Sequence, residues 1–187
     1  MTARLCSILL LGLLPLSLTA QTPELPAVAT EWPGVSYEVV RIERLPENRL
    51  LVLFQIAAGK GAAPKGTFVG VPTPIPPNAN PDDIRSGRYD PKPFSIAATT
   101  MIDETTGSRY PALPPVAPPH IVYPYPEVLV TLAPGGKSRM LSLQFQAPPA
   151  LPDASGKVPP QSVSFLLPKA KGALTRVPVP PPVAPAS

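Results

Sequence analysis

The chain has a single histidine, His120, and this limits the acid–base chemistry that it can perform. A serine-hydrolase triad would need His120 as the general base, beside a serine on a sharp strand-to-helix turn. The residue lies instead in Pro118-Pro119-His120, and no Gly-x-Ser-x-Gly pattern occurs in the sequence. We therefore predict that the chain is not an enzyme and has no catalytic residues. A hydrolase with an unrecognised site is the second alternative.

One loop carries oxygen-bearing side chains at a spacing that could surround a cation: Asn78, Asn80, Asp82, Asp83 and Asp90. A calcium loop of this type has glycine at its sixth position and a bidentate acid at its twelfth. Asp83 and Tyr89 stand at those positions, so a solvated turn is the better interpretation. Transition metals lack their usual ligands, because Cys6 and His120 are the only cysteine and histidine. We predict no metal and no cofactor.

Asp103 and Glu104 are adjacent carboxylates, the residue type that glycosidases use in pairs. Such a pair must face each other across a cleft, whereas neighbours on a strand or turn usually point apart. Asp103 also begins a turn-forming run that ends at Gly107, where its side chain can accept hydrogen bonds from nearby backbone. We predict a turn here, not an active site.

The proline-rich stretch that contains His120, Tyr123 and Tyr125 is the candidate ligand surface. Exposed tyrosines beside rigid prolines can stack on sugar rings or on peptide at a low cost in ordering entropy. Alternatively, the two tyrosines cover the open end of the domain, because amphipathic aromatic side chains are commonly half-buried. We prefer the second interpretation, and both stay open.

Residues 1–20 have the parts of an export signal, with an apolar run at 5–18 that follows a positive residue and precedes Ala20. The run is interrupted by Pro15 and is shorter than the roughly 20 apolar residues that a membrane-spanning helix needs. Cys6 lies at the start of the run and not at the cleavage site, which argues against a lipid anchor. We expect cleavage near Ala20 and an exported mature chain, periplasmic or secreted, with no transmembrane segment.

Composition excludes two further classes of protein. The formal net charge is +4, but the Lys and Arg residues are scattered, whereas a nucleic-acid binder would cluster them. The 32 prolines could indicate disorder, yet 44% of the residues are hydrophobic, and disordered chains lack that apolar content. We therefore predict a folded domain in which prolines punctuate strands and stiffen loops.

Hydrophobic alternation and turn residues divide the chain into seven or eight short strands. At 137–146, Leu141, Leu143 and Phe145 share one face, and at 49–58 an apolar run is typical of a strand buried on both faces. Val163, Phe165 and Leu167 form the inward set of another strand. The remaining predicted strands are 35–45, 94–102, a return strand that starts at 108–110, and 127–132, and the segments 67–71 and 174–179 are candidates for an eighth. The long proline-rich loops are 72–93 and 111–126. Loops of this length in a compact domain are usually either functional or disordered, so both are candidate binding surfaces.

These elements predict an all-β fold, a single antiparallel β-sandwich of seven or eight strands. We divide the chain into a signal peptide at 1–20, an extended leader at 21–34, the sandwich domain at 35–179 and a disordered proline-rich tail at 180–187.

Four groups of turns and strand ends follow one another in a characteristic order. They are Pro46-Glu47-Asn48, residues 102–107 with Tyr110 after them, residues 132–136 before a strand that ends in Phe145 and Pro148, and residues 163–168. Over roughly residues 35–180 this order resembles bacterial exported immunoglobulin-like domains of unknown function. The resemblance implies an immunoglobulin-like sandwich that binds or scaffolds, although the sheet-bridging cysteines are absent and Trp32 precedes the first strand.

We therefore expect an exported, non-catalytic structural or interaction protein of the cell envelope. Its partner would be an unknown protein or glycan, and nothing in the sequence indicates nucleic acid. The first alternative is a carbohydrate- or peptide-binding module that uses the proline- and tyrosine-rich loops.

Overall fold

The computed structural model describes residues 26–62, 66–114 and 126–182. This part of the chain is predominantly β, as the sequence predicts, and its strand pairings are antiparallel. The elements are β1 (Ala27–Ala29), β2 (Val35–Leu45), β3 (Arg49–Ala58), β4 (Thr67–Val69), α1 (Pro81–Arg85), β5 (Phe94–Ser95), β6 (Thr100–Asp103), β7 (Arg109–Pro111), β8 (Glu127–Val128), β9 (Val130–Leu132), β10 (Leu141–Gln146), β11 (Gln161–Leu166) and β12 (Leu174–Val179).

The hairpin of β2 and β3 is the longest pairing in the structure. Its turn is closed by Glu47 and Asn48, whose φ angles are 60° and 54°, and the predicted turn is confirmed. Val40 is an extra residue in β2, since Val39 pairs with Phe54 and Arg41 with Leu53. Such a bulge bends the strand and increases its twist.

Two four-stranded sheets, ordered β1-β2-β3-β10 and β12-β11-β6-β7, share one hydrophobic core. The ring of Phe165 on β11 lies 5.3 Å from that of Phe54 on β3 and 5.6 Å from that of Phe145 on β10. All three side chains are fully buried. Aromatic pairs at this spacing stabilise a core beyond the area that they bury, so Phe165 joins the two sheets at their centre.

The inward faces predicted from alternation are confirmed for β10 and β11. Leu141, Leu143 and Phe145 are buried, and so are Val163, Phe165 and Leu167. The apolar run of β3 is buried along most of its length, as expected of a strand covered on both faces.

Hydrogen bonds connect the two four-stranded sheets along both sides, and we call these contacts the two seams. In the first, Glu31 N–H donates to the Lys169 carbonyl and Lys171 N–H to the Ala29 carbonyl, both at 2.8 Å. In the second, Leu113 N–H donates to the Gln144 carbonyl of β10 at 2.7 Å. The seams occupy backbone groups at the sheet edges that would otherwise be open to pairing with another chain.

Two predicted strands are each divided in the structure. The strand predicted at 94–102 is β5 and β6, separated by a turn in which Thr99 Oγ1 donates to the Ile96 carbonyl at 2.5 Å. The strand predicted at 127–132 is β8 and β9, divided at Leu129. β5 pairs with β8, and β4 pairs with β9, in two separate two-stranded sheets. β6 lies instead in the four-stranded sheet β12-β11-β6-β7. The prediction of two continuous strands is wrong, because periodicity along the chain does not show where a strand changes its pairing partner.

Part of the predicted leader, 21–34, belongs to the fold. β1 pairs with β2 from Ala27, opposite Glu38, to Ala29, opposite Ser36. Trp32 packs on the core through Phe94, with ring centroids 5.1 Å apart. Backbone pairing therefore holds a short, alanine-containing part of this segment that has no periodicity of its own.

The predicted tail, 180–187, begins on the fold, since the Pro180 carbonyl accepts a hydrogen bond from Arg44 Nε at 2.7 Å. The predicted signal peptide and residues 183–187 lie outside the described residues and stay predictions. In the part of the chain that the structure describes, no helix is long and apolar enough to cross a membrane.

Candidate interaction surface

The predicted ligand residues His120, Tyr123 and Tyr125 lie outside the described residues, so their role stays a prediction. The structure does fix the chain on either side of them. Leu113 is held in the second seam, and the Pro126 carbonyl accepts a hydrogen bond from Ile96 N–H at 2.8 Å. The other predicted binding loop, 72–93, is described completely.

Residues 71–92, which we call the proline excursion, leave the β core and return to it at one point. Val71 and Lys92 exchange both backbone hydrogen bonds, each 2.9 Å long. Thr73 Oγ1 then donates to the Asp90 carbonyl at 3.1 Å. The flanking Val69 and Phe94 are buried in the core. The excursion is thus an ordered loop with a closed base, the type that often carries function.

The tip of the excursion is the short helix α1, which we did not predict from the sequence. Asn80 caps it, accepting a hydrogen bond at Oδ1 from Asp82 N–H at 3.0 Å, and Pro81 occupies its first turn. Asn-Pro followed by two acids is the pattern of a helix N-terminus, so the signal was present in the sequence. We overlooked it because the helix is too short to show apolar periodicity.

Three of the five side chains considered for calcium, Asn80, Asp82 and Asp83, have partners within the excursion. Asp82 forms an ion pair with Arg85 and Asp83 with Arg88, with N–O distances of 3.3 and 2.9 Å. Among the described residues, no group of three or more His, Cys, Asp or Glu side chains is placed to hold a metal ion. The charged groups of α1 therefore have ion-pair partners within the excursion, and the helix presents little uncompensated charge.

Apolar side chains of the excursion face solvent instead of the core. Ile75 is 55% exposed and Ile84 is 46% exposed, and α1 contains no buried residue. Single exposed apolar residues are normal on protein surfaces, but here they accompany a run of prolines on one projecting loop. The excursion does not stabilise the core through these side chains.

A second apolar patch lies at the base of the excursion. The Phe68 ring and the Leu129 side chain converge over Gly70, where the methyl group of an alanine would lie 2.6 Å from Phe68 Cζ and 2.8 Å from Leu129 Cδ1. Phe68 is 36% exposed and Leu129 is 49% exposed. Glycine at position 70 therefore lets two partly exposed side chains meet directly beside Val71.

The adjacent carboxylates Asp103 and Glu104 have separate partners. Asp103 is buried and accepts hydrogen bonds from Thr105 N–H at 3.1 Å and Thr106 Oγ1 at 2.6 Å, which confirms its predicted role in the turn. Glu104 reaches across to β11 and β12 instead. This arrangement is unlike the facing pair that glycosidic cleavage requires.

Glu104 closes a bulge in β12. Its carboxylate accepts hydrogen bonds from Ser162 Oγ, Ser164 Oγ and the Arg176 N–H, at 2.7, 2.5 and 2.7 Å. These bonds, led by that from Ser164, lower the pKa of Glu104. Arg176 is at a φ of 59° within the bulge, where its N–H turns away from β11 and needs another acceptor. This cluster has a complete structural explanation.

Comparison with protein-family models, with curated proteins and with solved structures found no match for this chain in any of the three. The proline excursion and the patch beside it are therefore interpreted from their geometry alone.

Proposed function

We propose that the chain is an exported, non-catalytic interaction protein of the cell envelope, built on an immunoglobulin-like β-sandwich. Its working surface is the proline excursion, which it presents to a protein partner. The observation that carries this proposal is the contrast between the ends of the excursion and its body. The ends are tied to the core by Val71 and Lys92, while Ile75 and Ile84 project into solvent.

The seams favour this surface over the edges of the sheets. Backbone groups of Ala29 and Gln144, on the outer strands of the first sheet, already accept hydrogen bonds from the second half of the chain. Strand addition by a partner needs free groups of this kind. A projecting loop needs no free backbone groups, because a partner recognises its side chains and does not extend a ladder of backbone hydrogen bonds.

Replacement of residues 72–91 by a glycine–serine linker of equal length tests the proposal. The tagged variant and the native chain would be cross-linked in intact cells and compared on denaturing gels. We expect a discrete adduct with the native chain that disappears in the variant, while thermal unfolding stays unchanged. A variant with the same replacement at 151–159, where Leu151 and Val158 are also exposed, is the control for non-specific adhesion.

Adducts that persist without the excursion would contradict the proposal. Adducts lost equally in both variants would show that exposed apolar residues in general, and not this loop, cause them. The export part of the proposal is tested separately by the mass of the protein recovered from the envelope fraction, which we expect to match a chain starting near Gln21.

A further inference from the structure

The residues from Val71 to Pro76 are restricted to an extended conformation by their own sequence, and Pro77 follows them in a turn closed by the bond from Ala79 N–H to the Pro76 carbonyl. Each residue from Val71 to Pro76 is either a proline or directly precedes one. Proline fixes φ near −65°, and the residue before a proline is driven towards extended ψ values. Both restrictions favour the polyproline II helix, which has three residues per turn.

Three residues per turn give such a segment three edges. Thr73 and Pro76 share one edge. Thr73 holds this edge to the chain through the bond from its Oγ1 to the Asp90 carbonyl, while the Pro76 ring is exposed. Thr73 is also the one residue of 72–78 that is not exposed. The remaining two edges, Pro72 with Ile75 and Pro74 with Pro77, consist of exposed residues only.

We propose that these two exposed edges, the proline ridges, insert into a groove lined by aromatic side chains on a partner protein. This inference rests on the proposed function and specifies the partner that the excursion fits. Proline rings and the Ile75 side chain are apolar and rigidly placed, and aromatic grooves recognise polyproline II segments by such ridges. The entropy lost on binding is small because the segment is ordered beforehand.

Other classes of partner fit the ridges poorly. Pro72, Pro74, Ile75 and Pro77 have no polar side-chain atoms, so they cannot recognise the hydroxyl groups of a glycan. The prolines also lack the N–H groups that a β-strand partner would pair with. The ion pairs of α1 leave little net charge nearby for a nucleic acid or an anionic membrane.

Site-specific photo-cross-linking tests the inference. A photoreactive residue at Asn78, which is exposed beside the ridges, would be combined with Pro74→Ala, Pro77→Ala or Pro76→Ala in the full chain. Pro76→Ala is the matched control, since it removes the same kind of exposed ring from the edge on which Thr73 is hydrogen-bonded to the Asp90 carbonyl. We expect Pro74→Ala and Pro77→Ala each to lower the adduct yield roughly tenfold, and Pro76→Ala to lower it much less.

The cross-linked partner peptide, identified by mass spectrometry, should come from a surface groove lined by aromatic residues. Equal losses in the three variants, an adduct with a second copy of the chain, or a cross-link to a surface without aromatic residues would each overturn the inference. If replacement of 72–91 abolishes the adduct but Pro74→Ala and Pro77→Ala keep its full yield, the proposed role of the ridges is wrong. The proposed function still stands in that case. Trp32 fluorescence, from the only tryptophan, would verify that each variant is folded.

Discussion

The hydroxyl group of Tyr37 donates a hydrogen bond to the carbonyl oxygen of Pro168, 131 residues further along the chain, at 2.9 Å. Tyr37 is fully buried on β2, in the first sheet, and Pro168 directly follows the inward-facing Leu167. The bond therefore joins the two sheets near the first seam. Loss of the hydroxyl leaves the partly buried Pro168 carbonyl without this hydrogen bond, and an unsatisfied group of this kind costs more than the bond itself contributes.

Tyr37→Phe should consequently lower the free energy of unfolding by about 1–3 kcal/mol, the range for an unsatisfied buried group. The measurement is chemical denaturation followed by the fluorescence of Trp32. Tyr110→Phe is the control, since Tyr110 is only partly buried. An unchanged unfolding midpoint for Tyr37→Phe would mean that the bond does not stabilise the fold.

The same tyrosine makes stability depend on pH in alkaline solution. Burial, with a smaller contribution from Glu31, raises the pKa of Tyr37 well above its ordinary value of about 10. A group whose pKa is higher in the folded state contributes its full stability below the unfolded pKa. We therefore expect stability to fall as the pH rises above about 10. The decline should be shallower in Tyr37→Phe, and identical slopes for the two proteins would contradict this assignment.

Phe165→Ala should destabilise the fold by about 3–5 kcal/mol, because it removes a buried ring that contacts both sheets and leaves a cavity. Phe68→Ala is the matched control. It removes the same ring from the exposed patch beside Gly70, and surface changes of this kind usually stay within about 0.5 kcal/mol. Thermal unfolding of both variants, measured by circular dichroism, compares them directly. Similar losses would place Phe68 in the core.

Glu104→Gln should weaken the bulge in β12 and change the response to acid. The pKa of Glu104 is lowered in the folded state by its hydrogen bonds to Ser164, Arg176 and Ser162. Its contribution is therefore present at neutral pH and is lost as the pH falls through the folded pKa. The carboxylate is exposed, so solvent screening should hold the effect below about 1 kcal/mol. Unfolding measured from neutral to acidic pH should show a smaller acid dependence in Glu104→Gln than in the control Glu127→Gln.

Arg176→Gly should stabilise the chain relative to Arg176→Ala. Both variants lose the same charged side chain and keep the N–H that Glu104 accepts. Only glycine adopts a φ of 59° without steric cost, so the difference in unfolding free energy should be roughly 1–2 kcal/mol. Equal stability of the two variants would indicate that the bulge rearranges when the arginine is removed.

The sequence predicts those elements of the fold whose signals are local. The alternation of Leu141, Leu143 and Phe145 identifies a half-buried strand without knowledge of its neighbours, and the turn at Glu47 and Asn48 follows from residue type. The break between Ile96 and Thr99 was not predictable in this way. It arises because β5 and β6 pair with strands in different sheets, which depends on residues far away in the chain.

The candidate surface was predicted in outline only. The absence of periodicity at 72–93 identified a long loop with a role in binding as one interpretation. The pairing of Val71 with Lys92, which makes the loop a closed excursion, depends on residues about twenty positions apart and has no local signature. The cap at Asn80 does have a local signature in the sequence. The helix that it begins is not predicted because a five-residue helix has no apolar face to detect.

The closed base of the excursion also makes the scaffold easy to diversify. Val71 and Lys92 set the distance between the two ends, so the residues between them can change without repacking the domain. Closing a longer loop costs only about 0.6 kcal/mol for each doubling of its length. Insertions at Asn78 should therefore be inherited or engineered at little cost to folding. A foreign epitope placed there would be displayed on a framework that continues to fold as before.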